Sequence, residues 1–367
     1  MTPERFRALF PALKDTAWLD TPGAPPAAAP VADALRATVD AWTSGEFDWL
    51  DWDGAAASTR EPFARLTGAG PETGPETVAT MGSLSEAAAT VARSLPRCRV
   101  VVPAEEFRSN LFPWLAHHDV TQVPARAGVT RVEDLVAAVR TGADLLAVSE
   151  VTTREGQRLD LAALRAATDE VGARLFVNLT QSLGALRFDP GVRPDYLAVH
   201  GYKWLLCPRG AAWLVARPDR VPELEPLAPS WKSTAAPHGY FGGPMRLDSV
   251  DTSPAWFSWI GARAALRLLG DLDPVAVERH CLGLAARFTE RARDLGFSRV
   301  GDGPPAHIVV LAVRDADRVA AALAERRVRA TALAGRVRFG FHYFNDDADV
   351  DRAIDALSVR YRTGGVR

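Results

Sequence analysis

The sequence predicts an α/β protein with a large domain on a mostly parallel β-sheet and a small C-terminal α/β domain. From residue 77, short apolar segments alternate with segments of helical periodicity. This alternation stops in a stretch rich in Pro, Gly and Trp at 218–244, and a strand–helix–strand–helix pattern follows from residue 308. Such alternation is typical of layered α/β domains. We expect three parts, namely an N-terminal segment (1–30) that could pack on the small domain, a large domain (31–270) and the small domain (271–367).

The predicted strands of the large domain are short and almost wholly apolar, as expected for strands buried on both faces. They are residues 77–81, 99–102, 120–123, 145–148, 173–177, 196–199 and 211–215. Segments of helical period lie between the first five of them at 85–94, 110–117, 132–140 and 161–171. This alternation indicates a parallel sheet covered by helices. In such sheets ligands bind beyond the carboxyl ends of the strands.

Further elements are predicted on either side of this sheet. The expected helices are 3–13, 31–42, 256–272, 275–295, 316–325 and 347–361. The expected strands of the small domain are 308–313 and 337–341.

The composition limits the possible classes of function. The net charge of −2 on 367 residues provides no basis for binding nucleic acid or an anionic membrane. Cys98, Cys207 and Cys281 are too widely spaced for a metal site or a disulfide framework. The first residues lack the apolar core of a signal peptide, and no apolar run approaches the ~20 residues of a membrane span. We therefore expect a cytoplasmic enzyme.

Lys203 follows a predicted strand and has apolar neighbours in the sequence, among them Trp204 and Leu205. An ammonium group in apolar surroundings loses hydration, which lowers its pKa. A lysine that can lose its proton near neutral pH can form a Schiff base with a carbonyl group. An isolated lysine at a strand end usually extends its charged head to solvent instead. The residues that flank Lys203 in the sequence must therefore decide between a Schiff-base lysine and a solvent-exposed one.

Four segments occur in order around Lys203, and they are NLTQSLG (178–184), DY (195–196), YK (202–203) and PRG (208–210). This arrangement resembles the class V aminotransferase family of pyridoxal 5′-phosphate (PLP) enzymes, which includes cysteine desulfurases, kynureninases and isopenicillin-N-epimerase-like proteins. The family pattern is Asp-x-x-Gln-[Ser/Ala]-x-Gly, then Asp-[Tyr/Phe], then [His/Tyr]-Lys and a turn with Gly. The one departure is Asn178, which stands where the family has Asp.

Other segments carry the same resemblance. GSLSE (82–86) resembles the kynureninase phosphate loop, although it also fits an ordinary helix N-cap. EFRSNLFPW (106–114) resembles a desulfurase segment in which a ring stacks on the cofactor. SEVTTREG (149–156) matches loosely, and DTSP (251–254) resembles a segment that reaches the phosphate bound by the neighbouring subunit. VRFGFHYFN (337–345) resembles the segment whose Arg holds the substrate carboxylate.

The resemblance implies PLP fold type I, with a seven-stranded type of sheet, and a homodimer with shared active sites that acts on a small amino-acid substrate. Lys203 would carry PLP as a Schiff base and shuttle the proton at the substrate Cα. The implied cofactor-binding residues are Ser83, Leu84, Ser85, Phe107, Thr153, Asn178, Gln181, His200, Tyr202, Lys203 and Ser253. The implied substrate-binding residues are Arg338, whose fork suits a carboxylate, and Trp231. A structural salt bridge is the alternative role for Arg338.

Asn178 changes the chemistry that the resemblance implies. PLP withdraws electrons from the substrate Cα through a protonated pyridine ring, and the family's Asp keeps that proton in place. A neutral amide has far less preference for the protonated ring. Transamination should therefore be disfavoured relative to elimination or epimerisation. Asp189 or Asp195 could supply the missing charge, but both lie beyond the turn that follows the strand.

The favoured function is a PLP-dependent lyase that cleaves a C–C, C–S or other C–X bond, or an epimerase, acting on an amino acid or an amino-acid conjugate. A class V aminotransferase and a non-catalytic PLP-binding relative stay open as alternatives. We do not expect a persulfide-forming cysteine desulfurase, because no Cys lies between Arg299 and Arg338. A Rossmann-type nucleotide binder is disfavoured, because no GxGxxG follows the first predicted strand.

Overall fold

The computed structural model describes residues 1–68, 74–234 and 250–358. In these residues it confirms the expected α/β fold with a mostly parallel central sheet. Part of the predicted irregular stretch (235–244) and the end of the last predicted helix (359–361) lie outside the described residues. In the described part of the chain, no helix has both the length and the apolar character that a membrane span requires.

The N-terminal segment contains α1 (Pro3–Arg7), a 3₁₀ turn (Pro11–Lys14) and the two-residue strand β1 (Ala17–Trp18). The sequence predicts a single helix over 3–13, and this prediction is wrong. Pro11 has no amide hydrogen, and its ring would clash with the carbonyl group four residues earlier in a helix. The first helix therefore ends before Pro11.

Among the described residues the central sheet has seven strands, six of which are almost entirely buried, whereas the edge strand over residues 119–123 is mostly exposed. The strands are β2 (Val78–Met81), β3 (Arg99–Pro103), β4 (Asp119–Val123), β5 (Leu145–Ser149), β6 (Arg174–Asn178), β7 (Tyr196–His200) and β8 (Ala212–Ala216). Their spatial order is β2-β8-β7-β6-β5-β3-β4. β8 runs antiparallel to both of its neighbours, and the other neighbouring pairs are parallel.

Helices cover both faces of this sheet. They are α2 (Ala29–Ser44), α3 (Trp49–Ala57), α4 (Arg60–Leu66), α5 (Leu84–Ser94), α6 (Arg108–His117), α7 (Val132–Arg140), α8 (Leu161–Val171) and α9 (Trp256–Gly270). Successive side chains of a strand point to opposite faces. Val148 and Val177 accordingly join one hydrophobic cluster, whereas Ala147 and Phe176 join the cluster that contains α5. Burial on both faces explains why the strands are continuous apolar runs.

The C-terminal part contains a second, smaller sheet. Its elements are α10 (Pro274–Asp294), β9 (Ser298–Arg299), β10 (Ile308–Ala312), α11 (Ala316–Glu325), β11 (Val328–Arg329), β12 (Thr331–Leu333), β13 (Arg336–Gly340) and α12 (Asp347–Ser358). The antiparallel order is β12-β13-β10-β9, and β11 pairs in parallel with β1. The N-terminal segment therefore packs on this part. The sequence did not predict β9, β11 and β12, because two or three residues are too few to show a periodic pattern.

Six strands of the central sheet run in one direction and end at the same edge, one of them being the outer strand β4, which ends at Val123. The other five enclose the candidate site. Their last residues are Met81, Pro103, Ser149, Asn178 and His200. The loops after these strands carry most of the predicted site residues. This edge is also where parallel α/β sheets bind ligands.

Candidate active site

Lys203 lies in the loop after β7, and only 4% of its surface is exposed. Its Nζ lies 5.5 Å from the centre of the Phe107 ring and 5.6 Å from the centre of the Tyr202 ring. No hydrogen bond joins this amine to another residue of the described ranges. The amine is therefore held between two aromatic rings without a fixed polar partner.

The electrostatic surroundings favour the neutral amine. Burial lowers the pKa of Lys203 to about 7, and the positive charges of Arg338 and Arg209 act in the same direction. The carboxylate of Asp20 acts in the opposite direction. Because burial is the largest cause, a substantial fraction of the amine is uncharged and nucleophilic at neutral pH.

His200, at the end of β7, has a buried Nε2 atom without a hydrogen-bond partner in the described residues. Its ring contacts the ring of Tyr202 edge to face at 4.5 Å, and the Arg209 guanidinium lies 5.1 Å from the centre of the Tyr202 ring. Burial lowers the pKa of His200 to about 4, with further contributions from Arg209 and Lys203. The imidazole is therefore neutral at pH 7 and keeps an unused polar atom.

The loop before α5 forms a capping box. Ser83 Oγ accepts the backbone N–H of Glu86 at 3.2 Å, and the Glu86 carboxylate accepts the N–H of Gly82 at 2.6 Å. This segment therefore forms a helix N-cap, which was one of the two interpretations of its sequence. No residue of the described ranges accepts the N–H groups of Leu84 and Ser85 in the first turn, and the helix dipole there favours an anion.

Asn178 belongs to a buried hydrogen-bond chain. Its Nδ2 donates to Ser149 Oγ at 2.8 Å, and its Oδ1 accepts the backbone N–H of Thr180 at 3.0 Å. Ser149 donates through its Oγ (2.7 Å) and its backbone N–H (2.8 Å) to the carboxylate of Glu106. The N–H of Phe107 donates to the same carboxylate at 2.7 Å. Both ends of the chain therefore terminate at backbone N–H donors.

Neither aspartate that could replace the missing charge lies at this edge. Asp195 Oδ2 accepts the N–H of Leu175 at 2.9 Å and pairs with Arg165 Nη1 at 2.8 Å. Leu175 lies near the start of β6, whereas Asn178 ends that strand. Asp189 accepts the backbone N–H of Gly191 within its own turn. Asp195 is thus at the opposite edge of the sheet from the amide of Asn178.

Arg338, on β13, points its guanidinium toward the same region. Its Nη1 donates to the carbonyl of Thr153 at 3.1 Å, and its Nη2 donates to Thr331 Oγ1 at 3.4 Å. Asp20 Oδ1 is 3.9 Å from Nη2, which is beyond hydrogen-bond distance. The buried Nε has no partner in the described residues, and burial lowers the pKa of Arg338. A bidentate salt bridge therefore does not occupy this fork.

Gln181 ties these loops to the N-terminal segment. Its Oε1 accepts the indole N–H of Trp204 at 3.0 Å, and its Nε2 donates to the carbonyl of Pro22 at 3.1 Å and to Thr153 Oγ1 at 3.3 Å. Since Thr153 also contacts Arg338, one hydrogen-bond chain joins the Lys203 loop to the substrate-binding candidate. Gln181 and Thr153 are thus brought together as predicted residues, with their polar atoms already engaged.

Trp231 and Ser253 form a separate group. The indole N–H of Trp231 donates to Ser253 Oγ at 3.1 Å within the same chain. The Trp231 ring lies 6.2 Å from that of Trp49 on α3, and Lys232 forms an ion pair with the buried Asp53 beside it. The described contacts therefore place these two predicted residues in an aromatic cluster next to α3.

Three residues at this edge were not predicted as site residues, namely Glu106, Ser149 and Asp20. Glu106 and Ser149 each follow an apolar run at the carboxyl end of a predicted strand, and this signal could have identified them. Asp20 approaches Arg338 from the far end of the chain. Its position depends on the pairing of β1 with β11, which the sequence does not reveal.

The comparisons with known proteins agree with this geometry. The family model for class V aminotransferases matches residues 52–353. The chain belongs to this family. An uncharacterized aminotransferase of Bacillus subtilis is 28% identical over 98% of both chains, and the isopenicillin N epimerase of Streptomyces clavuligerus is 27% identical over 61% of this chain and 62% of its own. The apo structure of a cysteine desulfurase from Thermococcus onnurineus superposes with a TM-score of 0.83 at 20% identity, covering 99% of this chain and 98% of that one.

Family membership confirms the predicted fold type and indicates PLP as the cofactor. It does not support the expectation that the chain is not a cysteine desulfurase, because a cysteine desulfurase shares this fold. The residues at the sheet edge suit PLP. A neutral buried amine is available at Lys203, a half-exposed aromatic ring at Phe107 and an unpartnered polar atom at His200. When bound, PLP supplies an electrophilic carbonyl and an electron-withdrawing ring.

Proposed function

We propose that this protein is a PLP-dependent lyase or epimerase that acts on an amino acid or an amino-acid conjugate. The observation that carries the proposal is the combination of a buried Lys203, whose pKa is lowered to about 7, with an uncharged Asn178 at the neighbouring strand end. The lysine suits covalent attachment of the cofactor and proton transfer at the substrate Cα. The amide leaves the cofactor ring without the anion that favours transamination.

Each candidate residue has a defined task in this proposal. Lys203 attaches the cofactor and moves the proton at Cα, and Phe107 covers a face of the ring. The first turn of α5 and His200 hold the phosphate, since that turn offers N–H groups and His200 offers an unpaired Nε2. Arg338 holds the substrate carboxylate through its two parallel N–H donors. Asn178 contacts the ring nitrogen.

We also propose a two-fold symmetric homodimer in which Ser253 of one protomer reaches the phosphate bound by the other. The support is the resemblance of residues 251–254 to the family segment with that role. Light scattering of the PLP-loaded protein tests it. A monomer that still binds PLP tightly would contradict the shared site.

The proposal still disfavours persulfide formation on a cysteine of this chain. Cys207 and Cys281 are buried, and burial raises the pKa of both thiols. Cys98 immediately precedes β3, at the opposite edge of the sheet from Lys203. A thiol must be exposed and ionised to attack a substrate sulfur. Incubation with L-cysteine followed by mass spectrometry tests this point, and a persulfide on any of the three would refute it.

An aminotransferase is the second candidate, because the relative that matches over nearly full length carries that name. The deciding experiment adds a panel of amino acids to the PLP-loaded protein in D₂O. Elimination or epimerisation should exchange the substrate α-hydrogen, with PLP retained. Stoichiometric conversion of PLP to pyridoxamine phosphate, followed by turnover with a keto acid, would instead establish the aminotransferase. The Lys203→Ala variant is the control for both readouts.

A further inference from the structure

We infer that Glu106, acting through Ser149, orients the amide of Asn178 so that it presents an N–H donor to the cofactor ring nitrogen. This inference rests on the proposed function, in which Asn178 contacts that nitrogen. It assigns Glu106 and Ser149 as positioning residues for the cofactor. The orientation of the amide also determines which protonation state of the cofactor ring the site accepts.

The orientation of the amide is determined at both of its ends. Thr180 offers a backbone N–H to Asn178 at 3.0 Å, and a backbone N–H can only donate. The atom that faces Thr180 must therefore be the amide oxygen. The NH₂ group then faces Ser149 Oγ, which is 2.8 Å away and must accept. These two hydrogen bonds therefore allow only one orientation of the amide.

The opposite end of the chain leads to the same assignment. Both oxygens of the Glu106 carboxylate face backbone donors, namely the N–H of Phe107 and the N–H of Ser149. Burial raises the pKa of Glu106, and the hydrogen bonds from Ser149 and Phe107 act in the opposite direction with smaller effect. With both oxygens facing N–H donors, the carboxylate acts as an acceptor, and Ser149 Oγ donates its single proton to Glu106 at 2.7 Å. Its lone pairs are then left for Asn178.

Asn178 Nδ2 carries two hydrogens, and Ser149 uses one of them. The second is the donor that remains for a ligand at the end of β6. An unprotonated pyridine nitrogen is an acceptor and matches this donor. A protonated ring nitrogen would place two N–H groups against each other. The site should therefore select the unprotonated ring, rather than merely failing to stabilise the protonated one.

Binding of cofactor analogues to the apoprotein tests this selection without any turnover. In 1-deaza-PLP a C–H group replaces the ring nitrogen, and the aldehyde and phosphate are kept. Wild-type protein should bind PLP roughly 3- to 10-fold more tightly than this analogue, which is the range for one neutral hydrogen bond. PLP labelled with ¹⁵N at the ring should show the chemical shift of an unprotonated pyridine. Equal affinities or a pyridinium shift would overturn the inference.

The Ser149→Ala variant tests the positioning role. It removes one of the two anchors of the amide, so the preference for PLP over the deaza analogue should fall toward one. Loss of structure alone would weaken both ligands equally and leave their ratio unchanged. Ser182→Ala is the matched control. Ser182 is also a buried serine, but it donates to the carbonyl of Leu179 and does not belong to the hydrogen-bond chain of Glu106, Ser149 and Asn178. An unchanged ratio in Ser149→Ala would refute the role of Glu106.

The wild-type measurements do not depend on the folding of a variant, so the inference stays testable if Ser149→Ala is unstable. They also separate two kinds of failure. If wild-type protein does not bind PLP at Lys203, the proposed function fails. If it binds PLP there but does not distinguish the deaza analogue, only the orientation of Asn178 is wrong.

Discussion

Two regions at the same edge of the sheet differ in whether their buried polar atoms have hydrogen-bond partners. Around Asn178, the side chains of Glu106 and Ser149 and the backbone of Thr180 form a connected hydrogen-bond chain that fixes the amide and leaves one of its hydrogens for a ligand. Around Lys203, the amine faces two aromatic rings, and His200 Nε2 and Arg338 Nε have no hydrogen-bond partners in the described part of the chain.

The difference indicates a division of tasks. A hydrogen-bond network whose donors and acceptors are fixed has a single arrangement. It can therefore orient the amide of Asn178 before any ligand binds. A buried donor without a hydrogen-bond partner destabilises the ligand-free protein. A ligand that accepts its hydrogen bond removes this cost and so binds more tightly. The Asn178 region therefore determines which protonation state of the cofactor ring is bound, and the Lys203 region determines the affinity for the ligand. Substitutions in the second region should change affinity and turnover most.

The largest effect should come from Lys203→Ala. Loss of proton transfer alone should reduce turnover by about 10²- to 10⁴-fold, and borohydride should no longer attach PLP to the protein. The sequence has three lysines, Lys14, Lys203 and Lys232, so peptide mapping after reduction is unambiguous. Lys14→Ala, at an exposed position, is the matched control. Label on Lys14 or Lys232 in the wild-type protein would contradict the assignment.

Arg338→Ala should weaken substrate binding by roughly 2–4 kcal/mol, or about 30- to 1,000-fold, the range for losing a charged hydrogen-bonded pair. Arg338→Lys should fail almost as badly, because an ammonium group cannot reproduce the two parallel donors. Steady-state KM values for the preferred amino acid provide the measurement. Arg336→Ala, on the same strand, is the control because its guanidinium donates to the carbonyl of Arg154 at an exposed position. Normal affinity in Arg338→Lys would show that charge alone suffices.

His200→Ala should weaken PLP binding roughly 3- to 10-fold through loss of one hydrogen bond from Nε2. The same substitution should leave the affinity for pyridoxal unchanged, because pyridoxal lacks the phosphate. Titration of the apoprotein by absorbance gives both dissociation constants. Equal losses for the two ligands would show that His200 supports the local structure and does not hold the phosphate.

The smallest effect concerns pH and Asp20. Capture of PLP by the apoprotein requires the neutral amine, so its rate should rise with pH and level off above the pKa of Lys203, about 7. Asp20 raises that pKa, so Asp20→Asn should lower it. Capture at pH 6 should then become faster, because a larger fraction of the amine is neutral at that pH. Stopped-flow absorbance measures the rate, and a wild-type rate that still climbs above pH 9 would refute the depressed pKa.

The sequence predicts the central fold well for a physical reason. Strands such as β5 and β6 are buried on both faces, so they stand out as continuous apolar runs. Asn178 could be located because it directly follows such a run, and Lys203 because it lies in the short loop after the next one. The hydrogen-bond chain through Ser149 could not be predicted, since its direction depends on atoms from three different loops. The approach of Asp20 to Arg338 could not be predicted either, because strand pairing over a large sequence separation leaves no local pattern.

The pairing of β1 with β11 has a consequence for synthesis on the ribosome. Ala17 leaves the ribosome early, but its partner Val328 emerges more than three hundred residues later. Pro22, which accepts a hydrogen bond from Gln181, belongs to the same early segment. A nascent chain can therefore complete the central sheet while its first two dozen residues still lack their final neighbours. Contacts of such long range form slowly, so the ability to capture PLP should appear only when nearly the whole polypeptide has been translated.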